Sequence, residues 1–249
     1  MIAAYRAELR KLAASLVGKV ATAAVVGGVT VLSAAMLLAL RSGRTDVTAK
    51  LGALSADWAG FLSAAIQVTG AGGLLGAAVV LGWMLGREFA DRAIAGLFAL
   101  PIGRATIAGA KFLAFATWLL GVAVILPLAV FTAGVVAGLG LPDGAALGGL
   151  ARLGALVVAS GFLATPVAVA ATLGRSVLAA VGVAVALLVV AQVSVIAGAG
   201  GWMPLAAPAL WAASAGQLAT APQVALVVPF AAVWTVATLV AWRRLELLR

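Results

Sequence analysis

Between residues 87 and 111 the chain reads REFADRAIAGLFALPIGRATIAGAK and carries Arg87, Glu88, Asp91, Arg92, Arg104 and Lys111. The runs on either side, 59–86 and 112–141, contain no Asp, Glu, Lys or Arg. These residue types at these spacings suit recognition rather than bond-making. Ile94, Leu97 and Phe98 stand at i, i+3 and i+4, one face of a short helix that can insert into a groove on a partner protein. Glu88 and Arg92 are spaced for an i, i+4 ion pair that stiffens the same segment. The competing reading lays the apolar face on a bilayer surface and leaves the charges solvated.

Bond-making chemistry is poorly provided for. The chain has no Cys and no His, so a thiolate nucleophile, a disulfide framework and the commonest metal ligand and general base are all missing. Ser and Thr without a nearby base are inert as nucleophiles. No Gly-x-x-x-x-Gly-Lys-Ser/Thr occurs, so energised work requires ATP bound by another polypeptide. The expectation is a chain that is not itself an enzyme, with no catalytic, cofactor or metal residues. Gln67, Thr69, Gln192 and Ser194 are the polar side chains nearest the middle of their apolar runs, placed either to line a solute path or to bond neighbouring helices together.

These residues must be positioned by membrane-buried elements. Hydrophobic residues make up 65% of the 249 and charged residues 9%, with a mean hydropathy of +1.23. Soluble domains average about half apolar and a quarter charged, so this apolar surface is too large for a soluble core to hide. At about 20 apolar residues per crossing, helices are expected at about 17–40, 60–86, 112–138, 152–173, 177–198 and 224–242. Backbone polar groups in lipid must be satisfied within a segment, which makes these runs helices, and the period-two alternation of a barrel is absent. The fold class is thus an all-α polytopic membrane protein with six transmembrane helices, one transmembrane domain over 1–249. Within the six runs only Lys19 and Arg152 are ionisable, close enough to the ends to snorkel, which counts against ion relays and secondary carriers. Net charge is +9, but no basic cluster interleaved with aromatics occurs, so the charge reads as topology and not as a nucleic-acid footprint.

Three other segments refine the layout. Ile2, Tyr5, Leu9, Leu12 and Leu16 recur at spacings of three and four, with Arg6, Glu8, Arg10 and Lys11 on the remaining face. This predicts an interfacial amphipathic helix over 1–16, read without a cleavable signal; the plainer alternative is a topogenic charge cluster. The stretch 199–223 has no charge and contains Pro204, Pro208 and Pro222, which suggests short helices dipping back into the outer leaflet, or an interfacial loop anchored by Trp202 and Trp211. Gly72 with Gly76, Gly82 with Gly86, and Gly134 with Gly138 form Gly-x-x-x-Gly pairs that let helices approach closely. Pro127 and Pro166, inside spans, are expected to kink them.

The ordered set of Glu88, the apolar residues Ile94, Leu97, Phe98 and Leu100, then Pro101, Arg104 and Gly109-Ala110-Lys111 resembles the first cytoplasmic loop of type-2 ATP-binding-cassette (ABC) exporter permeases. The family's Gly-Thr after the acidic residue is replaced here by Arg92-Ala93. The resemblance extends to the elbow helix, the six spans and the apolar segment with Pro204 and Pro208-Ala-Leu-Trp211. It implies a permease subunit in a prokaryotic plasma membrane, paired with a second permease copy or paralogue and with two ATP-binding subunits, exporting a drug, antibiotic, peptide or other amphipathic solute. Glu88, Arg92, Ile94, Leu97, Phe98, Pro101 and Arg104 would then couple to the ATPase across a loop at 87–111. The alternatives are a permease for lipid, polysaccharide or haem-like molecules or for membrane assembly and, further off, a passive channel or secondary carrier.

Orientation follows from the basic residues. Arg6, Arg10, Lys11, Lys19, Arg87, Arg92, Arg104, Lys111, Arg175, Arg243, Arg244 and Arg249 fall on one side, against Arg41, Arg44, Lys50 and Arg152 on the other. The positive-inside rule makes the first side, with both termini, cytoplasmic. Reporters fused after Arg249 and within 87–111 are expected to read as cytoplasmic and those near Gly43 and Gly144 as external. A cytoplasmic signal at Gly43 overturns the six-span layout.

Overall fold

A computed structural model describes residues 1–42, 55–91, 93–98 and 101–245. Among these the chain is all helix, and six helices are long and apolar enough to cross a membrane. In chain order the helices are α1 (Ile2–Ala14), α2 (Leu16–Arg41), α3 (Trp58–Ala90), α4 (Ile94–Phe98), α5 (Arg104–Val136), α6 (Gly144–Leu163), α7 (Pro166–Leu173), α8 (Val177–Ile196), α9 (Ala207–Ser214), α10 (Ala221–Ala225) and α11 (Val227–Arg244). The expected spans correspond to α2, α3, α5, α6 with α7, α8, and α10 with α11. Two of them run further than apolar content indicates. Helix α3 continues to Ala90 and α5 begins at Arg104, so Arg87, Glu88, Arg104 and Lys111 sit on helices and only about a dozen residues connect them. Nothing in the sequence Arg-Glu-Phe-Ala breaks a helix, and charge alone does not end one.

Helix ends have local causes. Asp57 and Asp143 cap α3 and α6 by accepting from the Gly60 and Ala146 amides, and Ser176 caps α8. Ser15 ends α1 in extended backbone and caps α2 through the Gly18 amide, so one residue makes the corner. A six-residue π segment, Ala23–Gly28, interrupts α2. Pro166 occupies the first turn of α7 and separates it from α6, as expected of a helix-breaking proline. Pro127 leaves α5 continuous. Lacking an N–H, it cannot bond the Ala123 carbonyl four residues earlier. That carbonyl faces Gly154 of α6, where an added Cβ would lie only 2.8 Å from it.

The bundle is built around α3 and the α6–α7 pair, whose most apolar windows are 56% and 72% buried, while those of α8 and α11 are 11% and 17% buried and present their apolar side chains outward. Of the glycine pairs, Gly82 and Gly86 both mark a close approach: added Cβ atoms would meet Ala180 at 2.6 Å and Val177 at 3.0 Å on α8. Gly76 makes room for Val25 and Gly134 for the Trp58 ring, whereas nothing lies within 4 Å at Gly72 or Gly138. The 199–223 stretch forms a short 3-10 turn at Gly200–Trp202, then α9, which packs against α3 and α6, then α10, with Ala207, Pro208 and Ala212 buried.

Gly154→Val is expected to force α5 and α6 apart and cost about 1–3 kcal/mol, the usual penalty of overpacking. Gly121→Val, at a position with open space within 4 Å, serves as control. Thermal unfolding in detergent followed by size-exclusion chromatography reads the difference. Equal midpoints would contradict the close α5–α6 approach.

Candidate functional site: a buried ion cluster beneath the 91–103 loop

Lys111 stands two turns inside α5 and is 0% exposed, one of the bulkiest fully buried side chains. A charge in such a place must be paired and hydrogen-bonded. Its Nζ donates to Glu88 Oε1 at 2.7 Å and to Glu8 Oε2 at 2.9 Å. Lys11 closes the set, donating to Glu8 Oε1 at 2.7 Å and more distantly to Glu88 Oε1 at 3.5 Å. Two ammoniums thus face two carboxylates, with Glu8 6% and Glu88 4% exposed and only Lys11 open to one side. The charges balance among these four, and Glu88 Oε2 is left without a partner among the described residues.

Each member arrives on a different element. Glu8 and Lys11 lie three apart on α1, one helical face, while Glu88 ends α3 and Lys111 opens α5. The cluster therefore ties the first helix to both helices that bracket the 91–103 loop. Leu12 is buried beside it, Tyr5 Oη bonds Thr117 Oγ1 at 2.9 Å, and Tyr5 and Leu9 pack on the core. The amphipathic face predicted for α1 is thus partly used inside the chain. Ile2 and Leu16 remain 70% and 75% exposed. Burial pushes the Glu8 carboxyl up, but the Lys111 ammonium and hydrogen bonds from Lys11 and Lys111 outweigh it and hold the group below its ordinary range. Burial pushes Lys11 down, and its bonds and charge interactions with Glu8 and Glu88 outweigh that and hold it above the ordinary lysine value.

The loop packs on this base through aromatic rings. Phe98 of α4 meets Trp242 of α11 edge-on at 6.3 Å, Phe89 of α3 meets the same indole at 6.4 Å, and the Arg104 guanidinium lies 4.3 Å above the Phe98 ring. Trp242 is 0% exposed, and its Nε1 donates to Thr172 Oγ1 of α7 at 3.0 Å. Arg104 also donates to the Leu245 carbonyl, which pins the end of α11 to the start of α5.

The residues expected to couple to a partner therefore separate by environment. Glu88 belongs to the cluster, and among the described residues an i, i+4 pair forms one position earlier, Arg87 with Asp91 at 3.5 Å. Arg92 and Leu100 lie outside the described residues, as does the side chain of Leu97. Ile94 and Phe98 pack against the core, Arg104 is half-buried, and Asp91, Ala93, Gly96, Pro101 and Gly103 form the exposed side of the loop. Of the polar residues placed mid-span, Gln67 and Gln192 line one cavity of about 220 Å³ together with Pro208 and Ala209 of α9. Thr69 is buried with no partner for its hydroxyl among the described residues, and Ser194 Oγ bonds back to the Val190 carbonyl of its own helix. Among the described residues no group of three or more acidic, His or Cys side chains is arranged to hold a metal.

In comparison with known proteins, the chain matches no family model and no curated protein.

Removing one member leaves an unpaired buried charge, which typically costs about 3–5 kcal/mol. Lys111→Met is therefore expected to destabilise strongly, and Lys111→Met/Glu88→Gln, which leaves Glu8 with Lys11, by clearly less than the two single changes summed, with a coupling of about 0.5–3 kcal/mol. Thermal midpoints in detergent supply the cycle, and strict additivity contradicts the network. The pH response follows from Glu8. Its carboxyl is lowered in the folded chain, so its contribution is complete above the ordinary value of about 4.5 and is lost as pH falls through the depressed folded value. In a Leu12→Cys variant, the only thiol in the chain, maleimide labelled after a brief acid exposure should report release of α1 below that range. Unchanged protection there contradicts the assignment.

Proposed function

We propose that this chain is the membrane-spanning permease subunit of an ATP-driven type-2 ABC exporter, moving a drug, antibiotic, peptide or similar amphipathic solute out of the cell. Two copies of a separate ATP-binding subunit supply the energy, and a second permease copy or paralogue completes the path. The observation that supports this reading best is the Glu8–Lys11–Glu88–Lys111 cluster. A chain without an ATP site needs a rigid attachment point for work done elsewhere. Here the loop's two bracketing helices and the N-terminal helix are locked into one body, and α4 is wedged against Trp242.

In this reading α1 is an elbow at the cytoplasmic surface of a prokaryotic plasma membrane, both termini are cytoplasmic, and the exposed side of the 91–103 loop receives the ATPase. Phe98 and Ile94 act from behind, holding α4 in place. The 199–223 segment dips into the outer leaflet and lies against the cavity of Gln67 and Gln192, which bond to solute along the path.

The docking face can be blocked without disturbing the fold. Gly96 is exposed, and nothing lies within 4 Å of where its Cβ would be, so Gly96→Arg is sterically free in the isolated chain but collides with a partner seated on the loop. At matched membrane levels, recovery of the co-expressed ATPase is expected to fall at least about tenfold, equivalent to about 1.4 kcal/mol. Equal recovery would mean that the loop is not the docking site. Solute flux in liposomes containing this chain alone would remove the ATP-driven reading altogether.

A further inference from the structure

At the opposite end of α3 from the ion cluster lies a cavity of about 490 Å³, lined by Asp57, Trp58, Ser63, Leu141, Asp143 and Arg152 among others. Its charges are of both signs, yet among the described residues Arg152 makes no ion pair with a carboxylate and its buried Nε has no hydrogen-bond partner. Burying a guanidinium nitrogen unsatisfied costs free energy unless a ligand supplies the acceptor. The side chain of Arg152 lies back along its own helix. Cβ positions built at Gly148 and Gly149 would stand 3.4 and 3.7 Å from its two terminal nitrogens, ordinary contact distances that place the guanidinium over that turn. That places the guanidinium about five residues, or about 8 Å along the helix, from Asp143 at the helix start.

The two carboxylates are at the rim. Asp57 and Asp143 are exposed, and each uses Oδ1 to cap its helix, leaving Oδ2 without a protein hydrogen bond among the described residues. Hydrogen bonds from Ser55 and the Gly60 amide keep Asp57 below the ordinary carboxylate range, hence ionised. The wall between rim and guanidinium is apolar, with Leu62, Ile66 and the Trp58 indole, and that indole is held by stacking on Phe131 at 6.5 Å and by donation to the Gly140 carbonyl at 3.3 Å. Tryptophan near the start of a spanning helix marks the headgroup level of a bilayer.

We propose that this cavity is a binding site for the zwitterionic headgroup of an aminophospholipid, with its phosphate on Arg152 and its primary ammonium between Asp57 and Asp143. The polarity matches the way such a lipid sits. The phosphate is the deeper group and takes the planar fork of the guanidinium, and the ammonium is the outer group and takes the rim carboxylates. A purely anionic headgroup lacks the cation that the two carboxylates require. A trimethylated headgroup has no N–H to donate to them. The site belongs to this chain alone and does not depend on the exporter reading.

The test uses the purified full-length chain in detergent, with short-chain phosphatidylethanolamine, phosphatidylcholine and phosphatidylglycerol titrated separately and bound lipid counted by native mass spectrometry. Phosphatidylethanolamine is expected to bind at least about tenfold more tightly than the other two. Arg152→Gln should lower its affinity about tenfold or more. Asp57→Asn/Asp143→Asn keeps both helix caps, since Asn caps as well as Asp, and should abolish the preference over phosphatidylcholine. Thermal midpoints of the variants close to the unaltered chain's, together with these losses, support the site. Equal affinities for the three lipids, unaltered binding in Arg152→Gln, or full displacement of the lipid by millimolar inorganic phosphate would each overturn it.

Discussion

A lysine ammonium with no exposure to solvent, held between two carboxylates, sets the terms for the rest of this molecule. A charge buried in an interior of low polarity needs partners, and Lys111 has them in Glu8 and Glu88, at 2.9 and 2.7 Å. That requirement fixes three otherwise independent things: how far α3 extends past its apolar portion, where α5 begins, and how α1 lies across them. The apolar contacts of the bundle are non-directional and tolerate sliding. An ion cluster with defined hydrogen bonds does not, so it supplies registry where burial alone supplies only cohesion.

The aromatic group around Trp242 extends that rigidity. Phe89 follows Glu88 directly in the chain, so one helical end contributes a charge to the cluster and a ring to the indole. Trp242 then reaches α4 through Phe98 and α7 through Thr172. The end of the bundle that carries α1 and the 91–103 loop is therefore bonded across six helices by directional contacts. The weakly buried α8 and α11 elsewhere present mainly apolar side chains to their surroundings. Both helices that bracket the loop, and α4 within it, thus make contacts with the bundle.

The six spans were legible in the sequence because about 20 apolar residues in a row have few alternatives to a membrane helix. Their charged extensions were not, since hydropathy registers where lipid ends and not where the backbone hydrogen bonds end. The members of the cluster were visible one by one, as polar residues on an amphipathic helix or as charges beside a span. Their juxtaposition was hidden because Glu8 and Lys111 are 103 positions apart. A signal did exist. Lys111 lies beside a long uncharged run, and an ionisable group there needs a counter-charge. The chain has only seven acidic residues, and Glu8 and Glu88 are among the few on the same side. Local spacing matched Glu88 with Arg92, which lies outside the described residues, and gave no hint of the tertiary partner Lys111. The reach of Phe98 toward Trp242 had no local signature, because the same i, i+3, i+4 pattern serves a partner's groove and the chain's own interior alike.

Helix α3 joins the two polar ends of the molecule. Its 33 residues span about 50 Å without a proline, with Asp57 and Trp58 at one end and Glu88 at the other. Along the way Gly82 and Gly86 bring α8 to within contact of its backbone, and Gly73 does the same for Ser160 of α6. Close backbone approach of this kind leaves little side-chain slack between α3 and its neighbours. The cavity at Arg152 is walled on one side by the first turns of α3 and on the other by α6, which means that its width depends on where α3 stands. The buried ion cluster at one end and the mixed-charge cavity at the other are thus built on one continuous helix.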